Sequence, residues 1–168
     1  NSEDRQFMGS AFPDFDYGLR LSLNWKALDF SMFMQGTQGN KIYNGIRAYQ
    51  DAVRININYS TATLDSYTFN PESDFPRLNL TDPNGNGEAT SDRFLEDGSY
   101  LRLKDIQLGY SVPENWLSNT ISSNANLRIY VGAQNILTFT NYSGYNPDIS
   151  GGGYSGGLGG RGVDYSVY

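Results

Sequence analysis

Tyr17-Gly18-Leu19-Arg20-Leu21-Ser22-Leu23-Asn24-Trp25-Lys26 is the stretch from which the fold is read. Odd positions carry Tyr, Leu, Leu, Leu and Trp; even positions carry Gly, Arg, Ser, Asn and Lys. Successive side chains on a strand point to opposite faces, so this alternation predicts one apolar and one wet face. About ten residues is also the length with which a tilted strand crosses a bilayer. Aromatic rings stand at both ends of the apolar face, where membrane strands place their interfacial girdles. Taken alone, the stretch fits an antiparallel strand of a soluble sandwich equally well.

A neighbour follows at once. Lys26-Ala27 makes a very short connection into Leu28-Asp29-Phe30-Ser31-Met32-Phe33-Met34-Gln35. Leu28, Phe30, Met32 and Met34 share a face, and Phe33 interrupts the wet one. The pair reads as a hairpin. A further strand is expected over about 99–112, but its phase switches at Lys104-Asp105. Leu101 and Leu103 lie in one phase; Ile106, Leu108, Tyr110 and Val112 lie in the other. A β-bulge at the switch returns both sets to one face; the alternative turns Leu101 and Leu103 inward onto packed protein. Pro113-Glu114-Asn115-Trp116-Leu117 opens like a short helix. The fourth strand, about 126–140, holds Leu127, Ile129, Val131, Ala133, Leu137 and Phe139 in phase, interrupted at Asn135.

Between the second and third strands lies a long segment, 36–98, without sustained alternation. Ile42, Ile46, Tyr49 and Val53 stand at helical spacing and predict a short helix over Ile42–Val53. Asn70-Pro71-Glu72, Phe75-Pro76-Arg77 and Asp82-Pro83-Asn84-Gly85-Asn86-Gly87 are turn chemistry. A structureless connection of this length is unusual and usually functional. Beyond Thr140 the chain runs through Asn141-Tyr142-Ser143-Gly144-Tyr145 into a glycine-rich run, 151–162, of linker composition.

Composition removes several classes of function. The 168 residues allow one ordinary domain, yet hydrophobic residues make up 38% and charged residues 18%, both low. With no Cys and no His, disulfide scaffolds, Cys/His zinc sites, thiol chemistry and imidazole-dependent triads are excluded. A net charge of −6 with only 12 Lys and Arg makes a poor partner for nucleic acid. No run approaches the roughly 18 apolar residues of a membrane helix, but membrane strands escape that test. About four strands can neither close a membrane barrel, whose smallest form has about eight, nor bury a good core. The chain therefore reads as part of something larger.

Individual motifs carry less. Asp82–Gly87 opens like a calcium loop, but the twelfth position is Arg93 where a bidentate Glu belongs. Aromatic residues crowd the two long loops among Asn, Asp and Gln; Tyr67, Phe69, Phe75, Tyr142 and Tyr145 are the candidate ligand-binding residues. The carboxylate pairs Asp14/Asp16 and Glu96/Asp97 are read as turn residues, and no catalytic residue, metal site or cofactor is assigned. The sequons at Asn58, Asn79 and Asn141 matter only in a glycosylating host. The glycine run lacks the Lys-Ser/Thr of a phosphate-cradling loop.

Four blocks, in this order, resemble the C-terminal barrel region of the SusC/RagA family of TonB-linked outer membrane proteins. They are Gly9–Gly18, Ser31–Asn44, Ser91–Tyr110 and Leu127–Leu137 with Tyr142–Pro147. The resemblance covers nearly the whole chain and is weakest in the long loop. It implies an all-β fold: antiparallel strands of a large transmembrane barrel of about 22 strands with long extracellular loops. The strands then fall at about 16–25, 28–38, 99–112 and 126–140, and the surface loops at about 39–98 and 141–168. It implies import of oligosaccharides or peptides across the outer membrane of a Gram-negative bacterium, driven by TonB and lidded by a SusD-like lipoprotein. Plug and TonB-contacting segments are not in this sequence; about one further strand is expected after Tyr168, and many strands before Asn1. The rival readings are a soluble secreted carbohydrate-binding β-sandwich and, more weakly, a glycosidase fragment. Strand length separates barrel from sandwich, about 9–11 residues against about 5–6.

Overall fold

The structure is a computed structural model and describes residues 6–52, 58–85, 91–120, 126–148 and 163–164. In chain order the elements are β1 (Phe15–Trp25), β2 (Leu28–Gln38), β3 (Lys41–Asn44), α1 (Gly45–Asp51), β4 (Leu95–Asp97), β5 (Tyr100–Ser111), α2 (Glu114–Thr120), β6 (Arg128–Thr140) and β7 (Val163–Asp164). Short 3₁₀ turns cover Thr61–Asp65 and Asp92–Phe94. Val53, Asn86 and Gly87 of the calcium-like motif, and the glycine run lie outside the described residues. The chain divides into a sheet unit, Asp14–Gln38 with Ser99–Thr140, and a loop unit, Asn1–Pro13 with Gly39–Gly98 and Asn141–Tyr168.

The sheet unit is one four-stranded sheet in the order β1-β2-β5-β6, every pair antiparallel. Its strands run 11, 11, 12 and 13 residues, about twice the sandwich mean and long enough to cross a bilayer at a tilt. The β1–β2 connection is two residues, with Lys26 at φ 55°. Ser111 N–H donates to the Ala27 carbonyl at 2.8 Å, so the ladder continues into the turn.

Register decides which residues share a face. Facing residues across the four strands are Leu19, Met34, Leu103 and Leu137; then Leu21, Met32, Ile106 and Ala133; then Leu23, Phe30, Leu108 and Val131; then Trp25, Leu28, Tyr110 and Ile129. Arg20, Phe33, Asp105 and Gln134 make one row of the other face, and Ser22, Ser31, Gln107 and Gly132 the next. The phase switch in β5 is a bulge. Between the same two apolar rows β2 advances two residues, β5 three and β6 four. Asn135, in the bulged part of β6, takes φ 51°, a conformation Asn tolerates better than most residues. Leu101 and Leu103 thus join Ile106, Leu108 and Tyr110 on one apolar face.

On the wet face three arginines have local partners. The Arg20 guanidinium lies 5.4 Å from the Phe33 ring centroid, covering the one aromatic interruption. Arg128 Nε donates to Asp29 Oδ1 at 3.0 Å, and this pair crosses above Gly109, where a Cβ would meet both partners. Arg102 Nε donates to Thr138 Oγ1 at 2.9 Å. In the β5–β6 connection, α2 buries Leu117 and leaves Trp116 exposed.

The segment expected to lack structure is a small unit with its own core. β3 pairs antiparallel with β4 and parallel with β7. Ile42 and Phe94 are buried at 1% and 2% exposure, with Ala52 and Tyr142 also buried. The Tyr43 and Phe94 rings meet edge to face at 6.1 Å. The helix expected from Ile42 starts later, at Gly45, because Ile42 belongs to a strand and anchors the core. Asn44 ends that strand and caps the helix, its Oδ1 accepting from Arg47 N–H at 2.9 Å.

Candidate functional site

Two features concentrate functional chemistry. The first is the apolar face of the sheet unit. Leu19, Leu23, Trp25, Val131, Ile129 and Phe139 are between 54% and 69% exposed, a contiguous apolar surface too large for an ordinary soluble exterior. Tyr17 and Phe139 lie toward one end of it, and Trp25 and Tyr110 at the other. From Tyr17 to Trp25 is eight residues, about 27 Å of strand, or about 19–22 Å along a membrane normal at the usual tilt. That is close to the roughly 25 Å apolar band of outer membrane barrels. Tyr17 also closes a gap: its ring lies over Gly36, where a Cβ would collide with it, and its hydroxyl donates to the Tyr100 carbonyl at 3.3 Å. An aromatic ring over a cross-strand glycine protects the bare backbone there.

The second feature is a polar node in the loop unit. Glu96 on β4 is its centre. Its Oε1 accepts from Ser143 Oγ at 2.7 Å, Asn44 Nδ2 at 3.1 Å and Arg47 Nη1 at 3.3 Å; its Oε2 accepts from Ser143 N–H at 2.7 Å. Burial raises the Glu96 pKa, but these donors outweigh it, Ser143 foremost, and the net shift is downward. A carboxylate so held is a clasp between β4, the α1 N-terminus and the segment after β6. It is a poor general acid, since it gives up its proton too early. Asp51, at the end of α1, shows the opposite balance. Its side chain is 1% exposed, with Arg93 Nη2 at 3.6 Å and Arg47 Nε at 3.8 Å, and burial raises its pKa against both guanidiniums.

Beside the node opens a cavity of about 340 Å³ lined by Asn44, Ile46, Arg47, Gln50, Ser60, Ser143, Gly144 and Tyr145. Of the candidate ligand-binding residues, Tyr145, 67% exposed, lines this cavity. Tyr142 is buried, packed against Gly144. Tyr67 and Phe75 are brought together by the Tyr67 N–H to Phe75 carbonyl bond, and each ring carries a guanidinium, Arg77 on Tyr67 and Arg93 on Phe75. Phe69 stands exposed in the turn from Ser66. Sequence reasoning missed Asn44, Arg47, Glu96 and Ser143 as a group. Only the Asn44 cap had a local signal, an Asn before a helix start. Among the described residues no cluster of three or more Asp or Glu groups is placed to hold a metal. No helix there is long and apolar enough to cross a membrane.

Membrane-length antiparallel strands, one continuous apolar face with aromatic ends and a structured insertion are the features of a transmembrane β-barrel segment. The comparisons agree. No protein-family model matches the chain. It is 33% identical over 150 residues to TonB-dependent receptor P3 of Formosa agariphila, a match covering 89% of this chain and 14% of that protein. It is 28% identical over 155 residues to TonB-dependent receptor SusC of Bacteroides thetaiotaomicron, covering 90% and 14%. Its fold matches a chain of the RagAB peptide importer in the closed-closed state with TM-score 0.73 and 26% identity, covering 95% of this chain and 16% of that one. The chain is thus homologous to a segment of the SusC/RagA family of TonB-dependent receptors, and it spans 14–16% of the length of these relatives.

Proposed function

We propose that the chain is the C-terminal part of the barrel of a TonB-dependent transporter in the outer membrane of a Gram-negative bacterium. The parent protein imports oligosaccharides or peptides. TonB supplies the energy through a part of the parent outside this segment, and a SusD-like lipoprotein covers the outer mouth. The segment itself builds wall and loops and performs no catalysis.

The continuous apolar face carries this reading. Burying it in lipid removes a large exposed hydrocarbon surface from water, worth roughly 25 cal/mol per Å². Leu19, Leu21, Leu23 and Trp25 then face lipid, and Arg20, Ser22 and Asn24 face the lumen. Short turns of such barrels lie on the periplasmic side and long loops outside. The Lys26-Ala27 turn and the connection holding α2 are therefore periplasmic, and the insertion between β2 and β5 is at the cell surface.

The 168 residues contain no cysteine, so any background thiol lies elsewhere in the parent protein and is first replaced by Ser. Single cysteines then replace Ala27 or Phe69 in that cysteine-free parent protein, in intact cells. A membrane-impermeant maleimide labels Phe69→Cys, and Ala27→Cys only after the outer membrane is opened. Labelling in the reverse order overturns the topology. Recovery of the parent in the soluble fraction without detergent overturns the transporter reading in favour of a secreted carbohydrate-binding module.

A further inference from the structure

We propose that the cavity beside the Glu96 node is a subsite for one neutral sugar ring, an assignment that rests on the transporter reading and narrows its substrate to a glycan. Size is the first argument. About 340 Å³ lies at the small end of the range for small-molecule sites.

Charge is the second. Among the described lining residues Arg47 is the cation, but Glu96 holds it at 3.3 Å and Asp51 lies 3.8 Å away. An anionic ligand would gain little from a guanidinium already matched by a carboxylate at its own distance. The site therefore suits an uncharged ligand rich in hydroxyl groups. Arg47 offers it only donors, while the exposed carboxamide of Gln50 both donates and accepts; the Ser60 hydroxyl, already accepting from Ala62 N–H at 3.2 Å, borders the site as a secondary polar contact.

Shape is the third. Tyr145, a residue 67% exposed with a flat ring, stands on the wall, and Gly144 before it leaves no side chain beside the Tyr142 ring. A sugar offers C–H groups on one face and hydroxyls round its rim, which matches one ring flanked by polar side chains. A common way to hold an extended peptide is a sheet edge with pockets for alternate side chains. Among the described lining residues here, Ile46 is the one aliphatic side chain. The node keeps this geometry rigid: Ser143, two residues before Tyr145, is fixed to Glu96 through both its amide and its hydroxyl.

The test uses the full-length parent protein in detergent, with calorimetric titration of two probe panels. One holds neutral hexasaccharides (glucans of different linkage, xylan and mannan); the other holds uncharged hexapeptides. The expected result is that at least one hexasaccharide binds. Tyr145→Ala then weakens it by roughly tenfold or more, the usual loss for a truncated aromatic anchor. Gln50→Ala weakens it about threefold, and Leu80→Ala, at an exposed position in the same loop unit away from the cavity wall, leaves it unchanged. Each variant is first checked for the heat-modifiable band of a folded barrel, and Tyr145→Phe, which keeps the ring, retains most of the affinity. Binding of no hexasaccharide, sugar binding indifferent to Tyr145, or Tyr145-dependent binding of the peptides instead would each overturn the subsite. Cell fractionation and uptake separate the two readings. Import that persists with normal affinity in Tyr145→Ala sinks the subsite alone. Tyr145-dependent sugar binding by a protein absent from the outer membrane sinks the transporter reading alone.

Discussion

Leu21→Arg in the parent barrel is the sharpest perturbation of the membrane face. Leu21 stands four residues from Tyr17 and four from Trp25, in the row with Met32, Ile106 and Ala133. It is therefore the midpoint of the span that the two aromatic ends define. Arg at the bilayer midplane on a lipid-facing position costs about 2–4 kcal/mol, and near an interface about 0–1 kcal/mol. Ser22→Arg, one residue along, places the same charge on the wet face beside Ser31, in the row that continues to Gln107, and should cost little. Trp25→Arg tests depth, since it is lipid-facing but at the edge. The expected order of damage is Leu21→Arg well above Trp25→Arg, with Ser22→Arg least. A penalty of about 2–4 kcal/mol is a thirtyfold to roughly thousandfold change in the folding equilibrium. The measurement is urea unfolding of the parent in phospholipid vesicles, read by the heat-modifiable fraction. Ser22→Arg costing as much as Leu21→Arg would refute the assignment of faces. Equal costs at Leu21 and Trp25 would refute the membrane depth.

Other expectations follow from packing and charge. Gly36→Ala forces a Cβ into the Tyr17 ring and the Tyr100 carbonyl and should lower stability by about 1–3 kcal/mol. Tyr17→Ala in the same chain should recover part of that loss in a double-mutant cycle, and strictly additive losses would show that the ring does not lie over residue 36. The Glu96 clasp should depend on pH in one direction. Its folded pKa is depressed below the ordinary 4.5, so its contribution is complete above 4.5 and fades as pH falls through the lower folded value. The protection factor of the Ser143 amide, its exchange relative to the intrinsic rate at each pH, should therefore fall on acidification below pH 4.5, and Glu96→Gln should show the lowered protection at neutral pH; a protection factor flat with pH in the native protein would contradict the clasp.

The sheet was legible because backbone geometry enforces period two and nothing in β1 competes with it. The bulge was legible in β5, where Leu101 and Leu103 fall out of phase with Ile106 and Leu108. Its counterpart in β6 was nearly hidden. A four-residue advance from Ala133 to Leu137 keeps the same parity, so only the interruption at Asn135 marks it. The loop unit was opaque for a different reason. Ile42 and Ile46 satisfy helical spacing, yet Ile42 earns its burial in a strand whose partner lies more than fifty residues downstream. The node is worse still: Asn44 meets Glu96 across 52 residues and Ser143 across 99. No local pattern encodes such contacts, because the pairing of β3 with β4 creates them. Aromatic content alone pointed equally to Tyr142 and Tyr145, and only the packing separates a buried ring from an exposed one.

The bulge supplies the last test. In β5 the sequence Leu103-Lys104-Asp105-Ile106 needs three steps where β2 needs two. Removing Lys104 leaves Leu103-Asp105-Ile106, a regular alternation in which every apolar residue keeps its face. Deleting Gln107 does the reverse. It turns Leu108 and Tyr110 toward the wet side while Leu101, Leu103 and Ile106 stay, or forces the opposite exchange. Two large apolar side chains lose their lipid contacts, at about 1.5–3 kcal/mol each. A strand without its bulge loses local twist and its match to the longer β6, a smaller defect. Deletion of Lys104 should therefore leave most of the parent protein folded in the outer membrane, and deletion of Gln107 should abolish the heat-modifiable band. If the two deletions are equally damaging, the bulge serves closure of the wall itself and not merely the phasing of its faces.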